Sequence, residues 1–166
     1  MSKGKTYPSK TETNRKKKSE LPIVQEVEII YSRPLSLKPI EINSSKIAYE
    51  TFLLAYDKRK IDYKEMFYVL LLNRKNYCLG IAKVSEGSTV ATIVNEREIF
   101  QLALKTNATA ILVSHNHPSG NTQPSEADNQ LTRKLNEACK LLDIQLLDHI
   151  IVTSNGYYSY ADEGIL

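Results

Sequence analysis

The stretch TAILVSHNH, residues 109–117, constrains this chain more than any other. Four consecutive apolar residues here, Ala110 to Val113, suit a strand covered on both faces. Strand side chains alternate, so Ile111, Val113, His115 and His117 are expected to point one way. Two of the chain's 3 histidines then emerge together at the strand's C-terminal end. The punctuated loop PSGNTQP follows, and Ser125 opens a helix with Leu131, Leu135, Ala138 and Leu142 at helical spacing.

The flanking sequence alternates strands and helices. PIVQEVEIIYS, residues 22–32, reads as a strand that the two prolines of SRPLSLKP interrupt. Asn43, Ser44 or Ser45 can cap a helix running to about Arg59, with Ile47, Phe52, Leu54 and Ala55 apolar. MFYVLLLN, ending at Asn73, is a second fully apolar strand, and RKN (74–76) turns it into YCLGIAKV. ATIV, residues 91–94, is a short strand candidate. Asn95 and Glu98 have the spacing of a capping box before EREIFQLALKTN, which Asn107 stops. LDHIIVT and YYSY, joined by SNG, form a terminal hairpin. This order predicts an α/β sandwich: a mixed sheet between helices, without internal repeats.

At 166 residues the length suits one domain over residues 21–166. Residues 1–20 carry seven Lys/Arg against Glu12 and Glu20, while the rest carries 15 basic and 17 acidic groups. That first segment has almost no large apolar side chain, so it is expected to be a disordered basic arm. It can contact nucleic-acid phosphates or simply stay solvated; the body shows no basic bias. No apolar run approaches the roughly 18 residues of a membrane span, and no secretory signal pattern opens the chain. Cys78 and Cys139 are far apart and suit the cytoplasm, as small packing residues.

His115, His117 and Asp128 form a possible three-ligand set for one zinc ion, leaving a fourth position for water. Zinc lowers the pKa of such a water to about 7 and polarises carbonyls, and a carboxylate must then take the water's proton. Each residue also has an ordinary use. An H-x-H pair can decorate a strand end, and Ser125-x-x-Asp128 is a serviceable helix cap.

HNHP, with seven residues between its second histidine and S-x-x-D, resembles the metal motif of the JAMM/MPN+ (JAB-domain) metalloproteases. HNHPSGNTQPSEADNQLTRKL, with LLDHIIV and GYYSYADEGIL behind it, is similar more specifically to the RadC-like branch, over about residues 40–166. RadC-like proteins often carry an N-terminal helix-hairpin-helix region, where this sequence has its basic arm. The resemblance implies a JAB/MPN-like fold, zinc held by His115, His117 and Asp128 at one ion per chain, and Ser125 assisting the oxyanion. It also implies a glutamate base opening the first long strand. Glu65 fits that place best, with Glu86 in the loop VSEGST as competitor. His149 reads as a supporting histidine, since a fourth protein ligand would close the site to water. The expected activity is hydrolysis of a peptide or isopeptide bond in a protein or peptide substrate. The alternative is a non-catalytic or DNA-repair-associated accessory factor on the same fold.

Overall fold

The computed structural model describes residues 38–87 and 94–166. The basic arm, the strand expected at 22–32 and most of ATIV lie outside the described residues. Five strands, β1 (Met66–Leu72), β2 (Cys78–Glu86), β3 (Ala110–Asn116), β4 (Gln145–Thr153) and β5 (Gly156–Ser159), form one sheet in the order β2-β1-β3-β4-β5. Among the described residues, only β3 and β4 pair in parallel, and every other neighbouring pair is antiparallel. Helix α1 (Ser45–Leu53) packs on one face, and α2 (Glu96–Lys105) and α3 (Glu126–Leu141) on the other. This is the expected mixed sheet between helices. Among the described residues, no helix is long and apolar enough to cross a membrane.

The two apolar runs form the sheet's centre because both of their faces are covered. In β1, Met66, Tyr68, Leu70 and Leu72 face α1, whereas Phe67, Val69 and Leu71 join Ile99 of α2 and Leu135 of α3. β3 divides the same way: Ala110 and Leu112 toward α1, Ile111 and Val113 toward α2 and α3. Burying every residue of both strands removes the apolar surface that drives the fold, at roughly 25 cal/mol per Å². The crossover from β3 through α3 to β4 carries the chain over the α2–α3 face, as a parallel pair requires.

Two local expectations are corrected. Helix α1 stops at Leu53 rather than near Arg59. The chain turns there so that Tyr56 can enter the core, its hydroxyl 3.0 Å from Ser114 Oγ, and Asp57 then caps a new turn through the Arg59 N–H. Asn95 does precede α2 in extended conformation, but its side chain makes no capping hydrogen bond. Asn107 ends that helix as expected, in the left-handed region at φ 54°.

Candidate metal centre

Strand β3 ends at the site. The ladder to β4 continues one residue past it, His117 N–H donating to Val152 O at 2.9 Å, which keeps His117 in the strand's alternation. His115 and His117 therefore present their rings on the α2–α3 face, with Nε2 atoms 2.9 Å apart. The chain then reverses: Gly120 N–H donates to His117 O, and Gly120 takes a φ of 78° that a side chain would oppose. The reversal brings the Asn121 carbonyl to 2.7 Å from His117 Nδ1.

Asp128 arrives from the first turn of α3. Ser125 is that helix's N-cap: its Oγ accepts from Asp128 N–H at 3.2 Å, and Asp128 Oδ2 accepts from Ser125 N–H at 2.7 Å. The Ser125 hydroxyl also donates to Oδ2 at 2.6 Å. The capping box thus fixes the aspartate as well as the helix. Asp128 Oδ1 lies 3.2 Å from His115 Nε2, and Oδ2 lies 3.5 Å from His117 Nε2. Burial opposes the Asp128 charge, but the facing imidazoles of His115 and His117 and the Ser125 hydroxyl outweigh it, holding the carboxyl well below the usual range. Against its own partial burial, His117 is pushed up by the neighbouring Asp128.

These donors fit a divalent cation. Their ligand atoms all lie within 4.8 Å of one another. Atoms held 2.0–2.1 Å from one tetrahedral zinc stand roughly 3.3 Å apart, close to the three separations found here. A carbonyl only accepts, so His117 Nδ1 donates to Asn121, and a neutral ring then leaves its Nε2 lone pair facing the site. Two imidazole nitrogens and one carboxylate make a zinc-like donor set.

Glu65 lines the same cavity, about 580 Å³, as Phe67, His115, His117, Ser125 and Asp128. It immediately precedes β1, two residues before Phe67, and so shares Phe67's α2–α3 face. Burial pushes its pKa up; His115 pulls it down and Asp128 pushes it up again. Glu86 goes elsewhere. It ends strand β2 rather than sitting in a loop, and it pairs across the ladder with Met66, whose side chain faces α1. Cross-strand partners share a face, so Glu86 lies on the opposite side of the sheet from the cavity. There it meets Lys60, Lys64 and Lys83 at 2.9, 3.3 and 2.6 Å.

Behind the candidate ligands lies a second layer, in the supporting place expected of His149. His149 of β4 is fully buried, its Nε2 at 2.8 Å from His115 Nδ1 and its Nδ1 at 2.7 Å from Thr132 Oγ1. Burial holds His149 well below the ordinary imidazole pKa, and His115 pushes the same way. Tyr160 stacks on its ring with centroids 5.0 Å apart. Asn116 points to the α1 face, where its Nδ2 donates to Ile61 O and Lys64 O and its Oδ1 accepts from Met66 N–H. One sequence signal was available for Asn116: an amide inside a strand buried on both faces needs partners.

A family profile for the RadC-like JAB domain matches residues 42–165. The chain belongs to this RadC-like JAB domain family. It is 46% identical over 101 residues to a UPF0758 protein of Flavobacterium johnsoniae, covering 61% of this chain and 44% of that one. It is 39% identical over 137 residues to a UPF0758 protein of Desulfitobacterium hafniense, covering 82% of this chain and 58% of that one. The chain thus spans about half the length of these curated relatives. The JAB match includes β1 through β5, and with them His115, His117, Ser125, Asp128 and Glu65. The names of these relatives state no reaction, so chemistry rests on the site itself.

Proposed function

We propose that this RadC-like JAB domain is a zinc-dependent metallopeptidase that hydrolyses a peptide or isopeptide bond in a protein or peptide substrate. The observation that carries the reading is the convergence of two imidazole nitrogens and one carboxylate in a cavity that a second, half-buried carboxylate also lines. His115, His117 and Asp128 would hold the ion, one per chain. When bound, zinc supplies Lewis acidity, acidifying water and polarising a carbonyl.

The chain's own groups do the rest. Glu65 takes a proton from the attacking water as the water oxygen bonds to the scissile carbonyl carbon. It later returns that proton to the departing nitrogen as the C–N bond breaks, so no proton is gained or lost. Burial raises the basicity of Glu65, which suits a group that must accept a proton near neutral pH. Ser125 lines the same cavity; in this reading its hydroxyl turns from Asp128 Oδ2 toward the oxyanion. We place the activity in the cytoplasm, which the widely spaced cysteines suit.

The test is zinc stoichiometry of the purified full chain beside cleavage of a peptide and isopeptide library. About one zinc per chain and cleavage abolished by chelation are expected. Stoichiometric zinc without cleavage of any library member would favour the accessory-factor reading. Failure to bind zinc at micromolar concentration would remove the metallopeptidase reading altogether.

A further inference from the structure

We propose that Thr132 and His149 are positioning residues forming a hydrogen-bonded relay that fixes His115 in one tautomer and ties it to the helix bearing Asp128. The inference rests on the metal-centre reading and extends it to residues that contact no ion.

The direction of every bond in the relay follows from its last member. The Asp128 backbone carbonyl can only accept, and Thr132 Oγ1 donates to it at 2.6 Å. With its single hydrogen committed there, Thr132 Oγ1 accepts from His149 Nδ1–H at 2.7 Å. His149 touches Thr132 and His115 through its two ring nitrogens, so its Nε2 is left as the acceptor for His115 Nδ1–H at 2.8 Å. The Nε2 lone pair of His115 is then turned to the cavity, 3.2 Å from Asp128 Oδ1. The relay begins and ends on Asp128: its carbonyl anchors one end, and its carboxylate meets the other.

The frame around His149 is built to hold this geometry. The ring stacks on the Tyr160 ring, parallel within 9°, and meets Phe67 in an edge-type contact at 62°. Tyr160 is itself held by Asn129 Oδ1, which accepts its hydroxyl at 2.9 Å. The neighbouring Asp148 carboxylate accepts from Ser159 Oγ and Ala161 N–H, pinning the segment that carries Tyr160. Buried groups that fix a histidine's other nitrogen typically matter 10- to 100-fold in metal affinity. A histidine here, rather than an amide or hydroxyl, accepts on one nitrogen and donates on the other across the width of a ring.

The experiment uses the full chain with Thr132→Val, Thr132→Ser, His149→Leu and the unaltered protein. Zinc affinity is measured by competition with a chromophoric chelator, and imidazole tautomers by ¹⁵N–¹H correlation in the metal-free protein. Thr132→Val keeps the side-chain shape and is expected to weaken zinc about 10- to 100-fold. It should also shift His149 or His115 away from the Nδ1–H form. Thr132→Ser should restore both affinity and tautomer. Unchanged zinc affinity in Thr132→Val and His149→Leu, in folded protein, would overturn the proposal. So would a His115 ring carrying its proton on Nε2 in the unaltered protein. If the unaltered chain binds no zinc, the metal-centre reading fails, while the tautomer spectra still decide the relay.

Discussion

Asn116 Oδ1 accepts the backbone N–H of Met66 at 2.8 Å, one residue beyond Glu65. The same amide donates to the carbonyls of Ile61 and Lys64. The residue between the two site histidines thus reaches through the sheet and fixes the segment that delivers the glutamate. Imidazoles on one face and an amide on the other follow from strand alternation alone.

Asn116→Ala should therefore cost about 3 kcal/mol of stability, because three backbone groups lose their partner in a buried setting. Asn116→Asp keeps the shape but turns an oxygen toward two carbonyls, so it should fare no better. Urea midpoints decide the matter; midpoints within error of the unaltered protein in both variants would contradict this account.

Glu65→Gln should separate proton transfer from metal holding. The amide keeps the size of the side chain but cannot take a proton as a carboxylate does. Zinc content should stay at the unaltered level, while turnover falls about two to four orders of magnitude. Asp128→Asn should instead lower zinc affinity, since a neutral amide is a poor zinc ligand. Zinc stoichiometry measured beside peptidase rate distinguishes the two outcomes, and equal loss of zinc in both variants would count against the assigned roles.

Glu86→Gln should leave zinc content and turnover unchanged, because this carboxylate lies across the sheet from the cavity. Its effect is on acid stability. Lys83, Lys60 and then Lys64 lower its pKa from 4.5 to about 2, although partial burial opposes them. A depressed folded-state pKa stabilises the fold above the ordinary value, and the gain fades as pH falls toward the folded value. The stability gap between unaltered and Glu86→Gln proteins should be full at pH 7 and close between about 4.5 and about 2. A gap that persists below that window would refute the ion-pair account.

Cys139 packs in the core, and burial pushes its thiol up to about 11. At pH 8 only about one such thiol in a thousand is ionised. Iodoacetamide should thus label Cys139 slowly in native protein and readily in denaturant. Peptide mass spectrometry reads this directly, and rapid native labelling would show an opening of α3 that this packing does not permit.

Deleting residues 1–20 should leave folding and zinc content unchanged, because that sequence offers almost nothing apolar to a core. If the arm contacts DNA, truncation should abolish weak, salt-sensitive binding. Band shifts of duplex DNA at two salt concentrations test this, and equal binding by both proteins would place the surface on the body.

The ligand candidates and the sheet's centre were legible for a shared reason. TAILVSHNH fixes burial and alternation within one strand, and the Ser125–Asp128 spacing is a local helix-start pattern. What was not legible depends on partners distant in sequence. Nothing near Glu86 tells that it opposes Met66, and that register alone sends it away from the cavity. Thr132 looks like an ordinary helix residue, and the support expected of His149 has no visible partner, until the crossover lays α3 against β4. Helix α1 ends early because of where Tyr56 finds room, not because of any stop residue at Leu53.

The separation of these groups along the chain has a kinetic consequence. His115, His117 and Asp128 fall within one strand–loop–helix unit, whereas Glu65 is placed through its neighbour Met66, which Asn116 holds from 50 residues away. Closing the short loop costs little entropy and is fast, while pairing β1 with β3 must close a much longer one. During folding the half that carries the proposed cation ligands can therefore assemble first, and the half that carries the proposed proton acceptor joins only when the sheet is complete. Under the proposed function, a nascent or partly unfolded chain would hold metal before it could cut anything, itself included.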